Sequence, residues 1–120
     1  RVDLCLVGGI SEALTISRWA ETHFINIAPH NPLGPISTAA AAHLCFTTPN
    51  LGVLEMARQP GTVLTDIFPT QIPFERGHVL PPTKPGLGVE LDEKVLASYP
   101  LPEVGFSPQL RHNDGSFTNW

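Results

Sequence analysis

Apolar positions along this chain follow two regimes, and the change falls near Ala57. In the first regime short apolar runs alternate with stretches of helical spacing. Val2 to Val7 is apolar and β-prone, the pattern of a buried strand. Gly8-Gly9 breaks that run as a tight strand-to-helix turn, and Ser11 is placed to cap a helix running to about His23. Ile10, Ala13, Leu14 and Ala20 recur on one side of it, while Glu12, Ser17, Arg18 and Glu21 supply a polar side. Phe24 to Ala28 predicts a second strand. The loop that follows is stiffened by Pro29, Pro32 and Pro35. Ser37 or Thr38 then starts a second helix, built on Ala39 to Ala42 and ending near Phe46, whose small residues suit close packing. Pro49-Asn50 ends that segment, and Leu51 to Leu54 predicts a third strand that stops at Glu55.

The order is strand, helix, strand, helix, strand, and right-handed crossovers make such strands parallel. Three strands cannot close a barrel, whereas a complete eight-stranded α/β barrel takes about 250 residues. The pattern therefore predicts a piece of a larger barrel over residues 1–56. Residues 57–120 form the second regime, a proline-rich extension. Phe74 to Leu80 and Gly88 to Leu91 read as two short strands around Pro81-Pro82-Thr83-Lys84-Pro85-Gly86, a small hairpin. Asp92 caps a short helix from Glu93 to Ser98, and Tyr99 to Trp120 reads as irregular.

Composition narrows the function. The net charge is −4 with only seven Lys and Arg, and these are scattered, which excludes the basic footprint of a nucleic-acid binder. No apolar run approaches the roughly 18 residues of a membrane span. Charged residues are 15% against 42% hydrophobic, a sparse count that predicts surface covered by something else. Cys5 and Cys45 are expected as two buried thiols of a reducing compartment, consistent with a cytoplasmic protein. The chain starts at Arg1 on an apparent strand without a leader, and is expected to be a fragment of a longer protein.

The sharpest candidate chemistry is His30. It closes an apolar run and opens the stiff turn 29–35, the way a barrel presents an imidazole at its mouth. Asp3 lies one strand-helix-strand step earlier. A carboxylate beside an imidazole raises its basicity and fixes its tautomer, as a proton-abstracting base requires. On residue grounds two readings stand open for His30: a catalytic base, or a structural histidine bonded at a turn. Asp3 alone reads more often as a surface or capping carboxylate, Glu55 alone usually as a solvated strand end, and Asn31 equally as a substrate contact or an Asx turn. His23, His43, His78 and His112 lack ligand spacing, and His43, on an apolar helix, is expected to pack or hydrogen-bond.

Gly8-Gly9-Ile10-Ser11-Glu12, Ala28-Pro29-His30-Asn31-Pro32-Leu33-Gly34-Pro35-Ile36, Lys84-Pro85-Gly86-Leu87-Gly88-Val89-Glu90-Leu91-Asp92 and Arg111-His112-Asn113-Asp114-Gly115-Ser116 together resemble the C-terminal part of enolase-superfamily enzymes. The resemblance is to the mandelate racemase subgroup, and within it to the D-galactonate dehydratases. It implies an N-terminal cap and a modified TIM barrel, of which this chain would be strands six to eight plus the extension. It implies Asp3 and His30 as a dyad that removes the proton next to a substrate carboxylate, and Glu55 as the residue that hydrogen-bonds substrate or intermediate. Donation from Glu55 needs a raised pKa, through burial or nearby negative charge. The resemblance further implies magnesium, with its ligands and a general-acid histidine upstream of Arg1, a sugar-acid substrate, and a homo-oligomeric full-length protein. Lys84 to Asp92 is read as architectural, and Phe117 and Trp120 as packing against the cap or a neighbouring subunit. Racemases of 2-hydroxy acids, other sugar-acid dehydratases and a non-catalytic remnant are the other readings.

Overall fold

The computed structural model describes residues 1–100 and 111–116. The expectations for Phe117 and Trp120, and for most of the irregular tail, lie outside these residues. The element order is α1 (Leu4–Val7), α2 (Ile10–Thr22), α3 (Pro35–Thr47), β1 (Phe74–Glu75), β2 (His78–Val79) and α4 (Glu93–Leu96).

The strand expected over Val2 to Val7 is instead the short helix α1. Asp3 caps it, its Oδ1 accepting from the Cys5 amide at 2.8 Å, and Gly8 ends it in the left-handed conformation at φ 106°. A capping carboxylate in front and a glycine four residues behind outweigh the β preference of an apolar run this short. Gly9, not Ser11, precedes the first residue of α2, so Gly8-Gly9 joins two helices and not a strand to a helix. Leu6 is left 82% exposed.

Helix α2 buries Ala13 and Ser17, one turn apart, and Ser17 Oγ donates to the Ala13 carbonyl at 2.7 Å. Glu12, Arg18 and Glu21 face outward, as the spacing predicts, but Ser17, expected on the polar side, is turned into the core, where its hydroxyl is satisfied by the Ala13 carbonyl. The chain then turns through Phe24 at φ 57°, with that side chain 98% exposed, so the expected strand 24–28 is reduced to a single ladder position. Ile27 pairs in parallel with Leu51. Its N–H donates to the Asn50 carbonyl at 2.9 Å, and its carbonyl accepts from Gly52 at 2.8 Å. His30 N–H donates to the Val2 carbonyl at 2.8 Å. Three extended segments, ending at Asp3, at His30 and at Glu55, therefore lie side by side in chain order.

Helix α3 begins with Pro35, two to three residues before the expected start, because proline's fixed φ and missing donor suit the first helical position. Ala39, Ala41, Ala42 and Leu44 are all buried at 1% exposure or less, the close packing expected of small residues. Val2, Leu4, Ala13, Ile27, Ala41 and Leu44 form one core cluster. Ala39, Ala42 and Ile72 form a second, covered by Leu54, Val79, Leu87 and Val89, so the extension shares a core with the helical part.

The expected hairpin between 74–80 and 88–91 is not formed. Phe74–Leu80 folds on itself: β1 and β2 pair antiparallel around Arg76 at φ 50° and Gly77 at φ 84°. Two consecutive residues with positive φ make the turn whose twist matches a hairpin. Glu90 instead meets Thr70 in an antiparallel bridge. Asp92 caps α4 as expected, its Oδ1 accepting from Lys94 and Val95, and that helix ends at Leu96, short of Ser98. No helix among the described residues is long and apolar enough to cross a membrane.

Two outcomes follow from this packing. In the complete protein, Leu44→Ala empties a fully buried site and lowers the unfolding free energy by about 2–5 kcal/mol, read by urea denaturation. The chain expressed by itself, with Leu6, Trp19, Phe24 and Val53 all more than half exposed, self-associates in light scattering; a soluble monomer with a cooperative melt contradicts this.

Candidate active site

The three extended segments bring Asp3, His30 and Asn31, and Glu55 to one end of the structure. His30 Nδ1 lies 2.8 Å from Asp3 Oδ2, across 27 positions of sequence. The Asp3 side chain is 13% exposed and the imidazole 37%. The His30 hydrogen bond, more than any other contact, holds the Asp3 carboxyl below its ordinary value of 3.8, and the Cys5 amide adds to it. An ionised carboxylate only accepts hydrogen bonds, so in the neutral ring Nδ1 carries the proton and Nε2 keeps its lone pair. Among the described residues Nε2 has no hydrogen-bond partner. The pair thus holds the ring through Nδ1 and leaves Nε2 open.

Glu55 is bound through one oxygen. Its Oε2 accepts from the Arg1 guanidinium and, at 3.1 Å, from the Asn31 backbone N–H. Oε1 has no partner among the described residues. Arg1 chiefly, then the Asn31 amide, holds this carboxyl below its ordinary value of 4.5. The condition for donation, a raised pKa, is not met within this chain: the glutamate's neighbours are a cation and a donor, and both favour the charged, accepting form.

Asn31 is 2% exposed. Its Nδ2 donates to Thr38 Oγ1 at 2.8 Å and to the Glu55 carbonyl at 3.1 Å, while Oδ1 accepts from Ser37 Oγ at 2.9 Å. No Asx turn is formed by these bonds. Arg1, Ser37 and Thr38 had no place in the site on sequence. The only signal for the two hydroxyls was their position at the start of a helix beside the His30 loop, and Arg1 carried none.

The remaining candidates lie elsewhere. Cys5 is exposed, not buried, because α1 replaces the expected strand. Cys45 is partly buried on α3, and burial pushes its thiol up to about 11. His43 Nε2 lies 3.3 Å from the Leu87 carbonyl and ties α3 to the extension, a hydrogen-bonded role as expected. Lys84 Nζ bonds Thr70 and Glu90, both at 3.0 Å, an arrangement that fixes the extension. Among the described residues no three His, Cys, Asp or Glu side chains converge as a metal site.

A histidine–carboxylate pair at the ends of adjacent extended segments, beside a half-exposed glutamate, is an arrangement able to accept and orient a proton. The family described as "Enolase C-terminal domain-like" matches residues 1–95, and the chain belongs to it, in the mandelate racemase subgroup of the enolase superfamily. That domain is a portion of a TIM barrel. The chain is 39% identical over 126 residues to a D-galactonate dehydratase of Verminephrobacter eiseniae, covering 98% of this chain and 33% of that protein. It is similar to the structure of an enolase of Pantoea ananatis with bound D-gluconate and magnesium, at 31% identity and a TM-score of 0.72 over 80% of this chain and 23% of the other. It is also similar to an enolase of Agrobacterium radiobacter, a candidate galactarate dehydratase solved with sodium and L-malate, at 32% identity and a TM-score of 0.76 over 96% and 32%. The chain thus spans about a third of the length of the curated relatives it matches.

The electrostatics predict an acid limb of stability. The folded pKa of Asp3 lies below 3.8, so its contribution is present above that value and is lost as pH falls through the folded pKa. Denaturant midpoints of the complete protein are expected to decline below 3.8, and Asp3→Asn to lower the midpoint near neutrality and flatten the decline. An acid limb of unchanged steepness in Asp3→Asn contradicts the assignment.

Proposed function

We propose that this chain is the part of an acid-sugar dehydratase that carries the proton-abstracting base, occupying about the sixth to eighth strands of the barrel through residues 1–56, with residues 57–120 packing back on it. The single observation that carries the reading is the 2.8 Å pairing of His30 Nδ1 with Asp3 at the ends of adjacent extended segments, with Nε2 open. Relatives named D-galactonate dehydratase, at 37–39% identity, support galactonate or a near relative as substrate.

The chemistry follows from the open nitrogen. His30 Nε2 takes the proton from the carbon next to the substrate carboxylate, and the C–H electron pair moves into the carboxylate as an enediolate. Asp3 meets the imidazolium charge that results and keeps the ring from turning. Glu55 offers Oε1 as an acceptor to a substrate hydroxyl while Arg1 and Asn31 hold Oε2. Collapse of the enediolate expels the hydroxyl on the next carbon, which leaves as water with a proton from an acid outside this segment. Tautomerisation then gives the 2-dehydro-3-deoxy acid.

Among the described residues no cluster of side chains makes a metal site. We assign the magnesium implied by the family to carboxylates outside this segment, and the steps above are carried by this chain's own groups. The segment alone is therefore inactive.

The test uses the complete protein with magnesium and a panel of aldonic acids. Turnover of galactonate or a close relative is expected. His30→Asn is expected to lower kcat by roughly 10²- to 10⁴-fold or more, and to stop exchange of the proton next to the carboxylate in D2O. Unchanged exchange in that variant removes His30 as the base.

A further inference from the structure

The buried amide of Asn31 is the polar group closest to the site that the chemistry above leaves without a task. It sits between the two loops that the mechanism needs in register. Its backbone N–H holds Glu55 Oε2 at 3.1 Å, and its Nδ2 holds the Glu55 carbonyl at 3.1 Å. One residue thus grips both the side chain and the main chain of Glu55. It also follows His30 directly, so any shift of Asn31 moves the imidazole.

What fixes Asn31 is the first turn of α3. Thr38 Oγ1 accepts the second Nδ2 hydrogen at 2.8 Å and passes its own hydrogen to the Gly34 carbonyl at 3.0 Å. Ser37 Oγ bonds Asn31 Oδ1 at 2.9 Å. Both amide hydrogens of Asn31 are therefore used inside the fold, and at 2% exposure the side chain has no donor left for a ligand. Thr38 is 7% exposed and lies behind Asn31. Ser37 Oγ lies 2.9 Å from the Gly34 carbonyl as well, so its one hydrogen is shared between two acceptors, whereas the Asn31–Thr38–Gly34 chain uses each hydrogen once; loss of a member of that chain leaves buried groups unpaired.

We propose that Asn31 is a positioning residue, held by Thr38 and Ser37, that sets the Glu55 carboxylate against His30 and does not itself bind substrate. The proposal rests on the dehydratase reading for its kinetic consequence and on the hydrogen bonds alone for its structural one.

The complete protein is assayed as Asn31→Ala, Thr38→Val, Thr38→Ser and the double variant Asn31→Ala/Thr38→Val. Thr38→Val keeps the shape of the side chain and removes only the hydroxyl. Positioning predicts that Asn31→Ala and Thr38→Val each lower kcat roughly 10- to 100-fold with KM changed by no more than about twofold. Thr38→Ser retains near-parent kcat, and the double variant is no worse than the weaker single one, because both act on one network. A raised KM in Asn31→Ala together with an unchanged kcat in Thr38→Val overturns the proposal and makes Asn31 a substrate ligand. A lowered melting temperature in Thr38→Val with kcat unchanged overturns it as well.

A second readout needs no substrate. In protein labelled with 13C at the glutamate carboxyl, Glu55 titrates below 4.5 in the parent, and its midpoint rises in Asn31→Ala and Thr38→Val as the Asn31 backbone N–H drifts off Oε2, while the Arg1 guanidinium still holds it below 4.5. An unmoved midpoint in both variants contradicts positioning. Because this titration does not depend on turnover, it separates failure of the positioning claim from failure of the dehydratase reading.

Discussion

The hydrogen bond from the His30 N–H to the Val2 carbonyl, at 2.8 Å, sets the register on which the site depends. It places the end of the second extended segment beside the end of the first, so that Asp3 and the imidazole come within bonding distance. The next segment is registered by Ile27, which pairs with Leu51 and brings Glu55 up to Asn31. A slip of one residue in either pairing would reverse the side-chain direction and turn His30 or Glu55 into the core. The core around Ile27, with Ala13, Ala41 and Leu44, resists such a slip because Ile27 is itself 4% exposed.

Asp3 serves two structures with one carboxylate. Oδ1 caps α1 through the Cys5 amide, and Oδ2 bonds the imidazole. The cap fixes the carboxylate's direction, so the orientation of the proposed base is set by formation of the helix that starts at the next residue, Leu4. Glu55 shows the same economy: Oε2 is used for attachment, and Oε1 faces outward. Its charge is decided by Arg1, which favours an accepting glutamate in this chain. Negative groups brought by the rest of the protein would work against that cation.

Much of the site was legible because its residues sit at ends of runs. His30 before a proline-rich turn and Glu55 after an apolar run are visible as punctuation, and the motif around His30 tied them to Asp3. What could not be seen were partners far apart in the chain. Arg1 lies 54 positions from Glu55, and nothing in either neighbourhood links them. The Asn31 network was invisible for the same reason, since amides and hydroxyls at loop ends carry no pattern. Helix α1 was misread because a capping aspartate and a glycine pair decide four residues whose side chains favour a strand. The hairpin was misread because Arg76 takes a positive φ that its residue type does not advertise, while Gly77 alone marked the turn. Alternation and helical spacing did place α2 and α3, where a buried face spans several turns.

The central claim is that His30 is an oriented base, with Nδ1 bonded to Asp3 and Nε2 free. The nitrogen-15 spectrum of the His30 imidazole, recorded on the complete protein in neutral ring form, tests it directly. The account predicts a protonated Nδ1 and an unprotonated Nε2, with that preference lost in Asp3→Ala. A ring protonated at Nε2, or one whose tautomer is unchanged by Asp3→Ala, would contradict it.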